Sequence, residues 1–306
     1  MIRLFRIFIW CFIIVTGLIA GYSLFVMDST VKSLLQPVNV DSEEHYLPED
    51  ISAKEIEIGI GKKDVIYGLF APIENSEFIV MIAHDGIGNM YERMDLLRLL
   101  QSLNMSVFLF DYRGYGLSIA EMPSEEEMIE DVTKAYHRFK KFIPGHGVPV
   151  FYGQGVGASL LASVIKNRGC QLFIAENPIP SLSEVVKGKI KKILVRHQFD
   201  FKSQISLLKC SELLIIVNEM HPLINPNTFE EIVNESKKNQ QKKRNIRIQL
   251  CTIEGASFNP PAGTHPIELM SCWKNFMKPS MISERDQFKS AGNQNGEHLI
   301  SDEADF

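Results

Sequence analysis

Cysteine is scarce and unpatterned. The chain has five, with no C-x-x-C pair and no zinc-like spacing against its histidines. A metal module is therefore not expected, and no cofactor is implied. A strong excess of either charge is also lacking. The formal net charge of −5 is modest and acidic, which argues against a nucleic-acid-binding body. There are no internal repeats. What remains is an ordinary globular composition, 306 residues at 45% hydrophobic, enough for one large core.

One long run is free of charge, Ile7 to Met27. At 1.5 Å per residue such a helix spans roughly 30 Å, the thickness of a bilayer core. Arg3 and Arg6 precede it, Asp28 ends it, and Trp10 and Tyr22 lie toward its two ends. The pattern predicts one transmembrane anchor over 1–27, with a cytoplasmic N-terminus and the rest of the chain on the far side. The competing reading is a cleaved signal peptide, whose apolar core would be shorter and followed by a small-x-small site. Residues 28–50, with Pro37, Pro48 and the cluster Asp41, Glu43, Glu44, read as a stalk.

The segment 51–278 carries the folded domain. Glu55 to Ile60 alternates with period two, and Val65 to Ala71 reads as its hairpin partner. From Phe78 the pattern becomes short, fully apolar strands alternating with helical spacings. The strands are expected at 78–83, 107–110, 148–152, 172–175, 213–217 and 246–253. This is an α/β pattern with a largely parallel sheet. Ser124 and Glu127 have capping-box spacing ahead of a helix over 128–142. Residues 279–306 read as a disordered acidic tail.

Between the strand 148–152 and a small-residue helix lies Gly153-Gln154-Gly155-Val156-Gly157. Its glycines have the spacing of a nucleophile elbow, G-x-S-x-G. Upstream stand His84-Asp85-Gly86-Ile87-Gly88-Asn89 and Asp111-Tyr112-Arg113-Gly114-Tyr115-Gly116-Leu117-Ser118. Downstream stands Glu176-Asn177-Pro178-Ile179-Pro180. In this order, over residues 65 to 277, the chain resembles the α/β-hydrolase superfamily. It is most similar to the membrane-anchored, bud-emergence-type subgroup of the serine-aminopeptidase-like lineage. The resemblance implies a mostly parallel eight-stranded sheet flanked by helices. It also implies a single-pass serine hydrolase of esters, thioesters or amides.

The same resemblance places the triad. The nucleophile position is Gly155, the acid position is His221, and the histidine position is Phe258. None has the chemistry that attack, proton transfer and orientation require. In the oxyanion region, His84 and Gly86 flank Asp85, which stands where the family has glycine. A carboxylate there would repel a developing oxyanion, while the N–H of Val156 remains available to donate. The reading that follows is a pseudo-hydrolase, tethered to a membrane, that binds a small-molecule, lipid or protein ligand without turning it over. The alternative is an active hydrolase of acyl ester, thioester or amide bonds using relocated residues.

Candidates for relocation are Ser159, Ser118 and Ser257 as nucleophiles and His265 as base, each with a blander reading as packing or surface. His84, Asp85 and His221 are expected around one ligand cleft. Asp111, Arg113 and Tyr115 are expected to be a structural turn. The basic run Lys187, Lys189, Lys191, Lys192, Arg196 reads as a solvated face, or else as a contact for anionic lipid. Cys170 and Cys210 precede strands that would be adjacent. They are expected as buried free thiols, with a disulfide as the alternative.

Overall fold

The computed structural model describes residues 35–40, 47–185, 199–239 and 246–277, except 62–63, 119, 146 and 259, together with residues 6, 9–19 and 21–22. The acidic tail, the basic run from Lys187 to Arg196 and the remainder of the expected anchor lie outside the described residues. Residues 9–19 are helical and exposed. Among the described residues, no helix is long and apolar enough to cross a membrane.

The strands in chain order are β1 (Gln36–Pro37), β2 (Lys54–Gly59), β3 (Val65–Ala71), β4 (Phe78–Ala83), β5 (Ile87–Gly88), β6 (Met105–Phe110), β7 (Val148–Gln154), β8 (Cys170–Glu176), β9 (Cys210–Asn218) and β10 (Arg247–Ile253). Eight of them form one sheet in the order β10-β9-β8-β7-β4-β6-β3-β2. The six strands from β10 to β6 are parallel, and β3 and β2 close one edge antiparallel. The chain runs from β4 to β6 on one side, then crosses to β7 on the other. The switch point, where ligands bind in such sheets, therefore lies at the carboxyl ends of β4 and β7.

The expected alternation holds in β2, where Ile56 and Ile58 are buried and Glu55 and Glu57 exposed. In β4 successive side chains enter opposite faces. Met81 joins Phe108, Phe151 and Phe173 in one core, while Val80 and Ile82 join Tyr152 and Trp273 in the other. The helices that cover these faces include α1 (Met94–Ser102), α2 (Glu125–Phe139), α3 (Val156–Ile165), α4 (Leu182–Val185), α5 (Phe201–Ile205), α6 (Pro226–Asn239), α7 (Pro261–Thr264) and α8 (Pro266–Phe276). The predicted capping box starts α2, with Ser124 Oγ accepting from the Glu127 N–H and Glu127 accepting from the Ser124 N–H.

The expectation of free thiols at Cys170 and Cys210 is corrected. The two residues open β8 and β9 and are direct partners across that parallel pair, with Cα atoms 4.4 Å apart, and they form a disulfide. A second bridge, Cys251 to Cys272, ties β10 to α8 across 6.1 Å. Among the described residues only Cys11 is free.

Within the segment expected to be a stalk, residues 35–40 are docked on the domain. β1 pairs with β5 in parallel, the Gln36 N–H donates to the Gly86 carbonyl at 2.8 Å, and the Val40 N–H donates to the Gly116 carbonyl at 3.1 Å. Leu35 is buried in the core.

Candidate functional site

The site is built around the turn between β7 and α3. Gly155 occupies it with φ 51° and ψ −120°, a conformation that strains any residue with a Cβ. The glycine spacing has a packing cause. A Cβ at Gly157 would strike the carbonyl oxygens of Ala83 and His84, and one at Gly153 would strike the backbone of Ala158.

The space above Gly155 is taken by Asp85. A Cβ on residue 155 would stand 2.8 Å from the Asp85 Cβ. Asp85 is fixed there by its carboxylate, which accepts from the Ile87 N–H at 3.0 Å and from Arg93 Nη2 at 2.6 Å. Arg93 is itself buried and also donates to the Ile87 carbonyl at 2.6 Å. This buried charge is thus paired, with both hydrogen bonds made by Nη2 and none by the buried Nε.

The loops after β9 and β10 are joined by three bonds. Asn218 Nδ2 donates to the Ser257 carbonyl at 2.6 Å, the Gly255 N–H to Glu219 at 2.9 Å, and the Met220 N–H to the Ala256 carbonyl at 2.9 Å. They bring the rings of His221 and Phe258 to 5.5 Å. Burial pushes the His221 imidazole down to about 4, so it is neutral at pH 7, and its Nδ1 accepts from the Leu223 N–H. Phe258 is half exposed.

Asp85, Gly155, Val156, His221 and Phe258 line one cavity of about 40 Å³. That holds a few waters, against the roughly 300–1,000 Å³ of a drug-sized ligand site. A second cavity, of about 400 Å³, shares the Asp85, Gln154 and Phe258 wall and is bounded further by Arg93, Leu96 and Thr264. Among the described residues, no serine or cysteine lines either one, and Thr264 carries the sole hydroxyl.

His84 and Gly86 are placed beneath this surface rather than on it. His84 is fully buried, its Nδ1 accepts from the Gly86 N–H at 3.2 Å, and its Nε2 lies 3.4 Å from Asp111. The Asp111 carboxylate accepts from the Met90 N–H, Tyr112 donates to the His84 carbonyl and Tyr115 to the Gly86 carbonyl. The Asp111 to Tyr115 run thus buttresses the loop after β4. Arg113 faces away from the cleft, paired with buried Asp131 at 2.7 Å and with Glu130 and Glu127.

The relocation candidates are held elsewhere. Ser159 Oγ donates to the Phe199 carbonyl at 2.7 Å, and Ser118 Oγ accepts from the Tyr67 N–H at 3.0 Å. Ser257 is exposed, and His265 Nδ1 lies 3.0 Å from Thr264 Oγ1. Neither Ser257 nor His265 lines either of these two cavities.

One residue escaped the sequence reading. Glu176, at the end of β8, is buried on the floor of the smaller cavity. Tyr152 donates to one carboxylate oxygen and Gln154 Nε2 to the other at 3.0 Å. Burial raises its carboxyl to about 7, against the opposing effect of these two donors. A lone charge directly after the apolar run Leu172 to Ala175 was the available signal.

Strand order, switch point and elbow together define an α/β-hydrolase fold. Solved structures agree. An esterase of Pyrococcus furiosus, Pf2001, superposes with a TM-score of 0.61 over 80% of this chain and 96% of its own, at 16% identity. XC6422 of Xanthomonas campestris, a serine hydrolase without a lid, gives 0.52 over 76% and 95%, at 12% identity. In sequence the chain is similar to the uncharacterized protein YfhR of Escherichia coli K12, 26% identical over 47% of this chain and 54% of that protein. It is similar also to the α/β-hydrolase domain-containing protein aho-3 of Caenorhabditis elegans, 26% over 48% and 45%. Protein bem46 of Schizosaccharomyces pombe is 28% identical over 47% and 51%. The chain thus spans about half the length of these curated relatives. No protein-family model matches it.

Proposed function

We propose that this chain is a pseudo-hydrolase, an α/β-hydrolase-fold protein on a single membrane anchor that binds a ligand without turnover. One observation carries the reading. The elbow keeps its backbone, but Gly155 has no nucleophile, and Asp85 fills the space a nucleophile would need. A serine placed there would still meet no imidazole free to take its proton, since the histidine position holds a phenyl ring and His221 already accepts a hydrogen bond at Nδ1. The larger cavity beside Asp85 and Phe258 is the space open to a ligand.

The anchor remains the reading of Ile7 to Met27, with the domain on the non-cytoplasmic side. The two disulfides support that side, because such bonds persist where thiols are not kept reduced. The experiment is fluorophosphonate labelling of the full-length protein, run beside an acyl-ester and amide panel. The expected result is no labelling and no turnover. Labelling at one serine, abolished with turnover when that serine becomes alanine, would replace this reading with an active hydrolase.

A further inference from the structure

The docked segment fixes where the tether reaches the domain. Leu35 packs against the elbow side of the oxyanion loop, and a Cβ at Gly86 would come within 2.7 Å of its Cδ2. β1 then lies along β5, past the carboxyl end of β4. The chain from the anchor therefore arrives at the mouth of the site and not at the opposite end of the sheet.

Only eight positions separate Met27, which ends the apolar run, from Leu35. Fully extended, they reach at most about 29 Å. A tether attached at this edge holds the carboxyl edge of the sheet within that distance of the bilayer.

The same edge carries exposed apolar side chains. Val38 follows β1, Met220 and Leu223 follow β9, and Phe258 follows β10, and their exposures run from 40% to 65%. Leu223 and Phe258 line the smaller cavity, and Phe258 also walls the larger one. Apolar side chains exposed on loops around a cavity mouth suit a contact with membrane or partner. Exposed Glu92 and Glu219 stand among these residues, which disfavours a strongly anionic surface and suits a zwitterionic one.

We propose that this edge docks on a zwitterionic lipid bilayer, with Val38, Met220, Leu223 and Phe258 at the headgroup boundary, so that the larger cavity opens toward lipid. The inference rests on the anchor reading above.

The test uses the full-length chain with Cys11→Ser, in nanodiscs of phosphatidylcholine. A nitrobenzoxadiazole label is attached at Leu223→Cys or at Met220→Cys. The control is Gly145→Cys, in the turn before β7 at the opposite end of the strands, where a Cβ meets open space. Brominated lipid is expected to quench both edge labels and leave the control bright. Equal quenching at all three sites, or none at the edge, overturns the proposal. Edge labels with emission shifted blue but unquenched would mean that protein covers the face, which also overturns it. Alkaline carbonate extraction separates the two readings. Protein that stays with the membrane while its edge labels are unquenched refutes only the docking, whereas extracted protein refutes the anchor.

Discussion

Asp85 stands where the side chain of residue 155 would be, its Cβ 2.8 Å from the position a Cβ on Gly155 would take. The two positions are coupled by volume. Gly155→Ser alone should cost about 1–3 kcal/mol, from overpacking and a side chain forced to positive φ. Asp85→Gly alone should cost about 3–5 kcal/mol, because it strands buried Arg93 without its carboxylate. In the double variant the clash is gone, so its loss should be smaller than the sum by about 0.5–3 kcal/mol. Thermal unfolding of the four proteins measures this coupling. Strict additivity would show that Asp85 does not occupy the nucleophile's space.

Glu176 predicts a pH dependence. The folded protein holds this proton up to about pH 7, while the free side chain loses it near 4.5. Folding therefore takes up a proton in that window, and stability falls as pH rises across it. The amplitude is on the order of 3 kcal/mol. His221 acts in the opposite direction. Its folded value of about 4 lies below the usual 6.5, so its contribution is lost as pH falls through that range. The two slopes oppose each other in the wild type. Glu176→Gln should uncover a rise in stability with pH from 4 to 6.5, and His221→Phe a fall from 4.5 to 7. Melting temperatures across pH 4 to 8 decide it, and parallel profiles for all three proteins would reject the assignment.

The parts of this fold that were legible from sequence are those written in local pattern. Val80, Met81 and Ile82 read as a doubly buried strand because each faces a core. Ser124 and Glu127 announced a helix start because both halves of the capping box are local. The elbow was legible because Gly153 and Gly157 are forced by backbone contact. What could not be read were relations between distant segments. The contact of Asp85 with residue 155, the passage of Leu35 over Gly86, and the bridging of Cys251 to Cys272 all depend on how separate elements abut. Cys170 and Cys210 were seen as neighbours, but only their matched register shows them in contact.

The disulfides give a direct count. The denatured, non-reduced protein should expose one thiol, Cys11, and the reduced protein five. Cys170→Ala with Cys210→Ala should lower stability by about 2–4 kcal/mol, since the bridge closes a loop of 40 residues in the unfolded chain. Five thiols without reductant would place the domain in a reducing compartment and remove support for an exported topology.

Re-arming the site tests the whole assignment of positions. The hydrolytic constellation needs a hydroxyl at 155, room for it at 85, an imidazole at 258 and a carboxylate at 221. The rings at 221 and 258 already lie 5.5 Å apart, so Phe258→His and His221→Asp would put a base beside its orienting acid. With Gly155→Ser and Asp85→Gly, the quadruple variant should gain fluorophosphonate labelling at residue 155. The three triple variants that lack a triad member should stay unlabelled, because triad members act as a unit and the loss of one removes most of the rate. The triple variant that keeps Asp85 should stay unlabelled because that side chain holds the nucleophile's space. A folded quadruple variant that remains unlabelled, by near-native melting and an intact thiol count, would mean that one of these positions is not the family's. Labelling already present in a triple variant that lacks the Asp85 change would show that the nucleophile finds another path past that carboxylate.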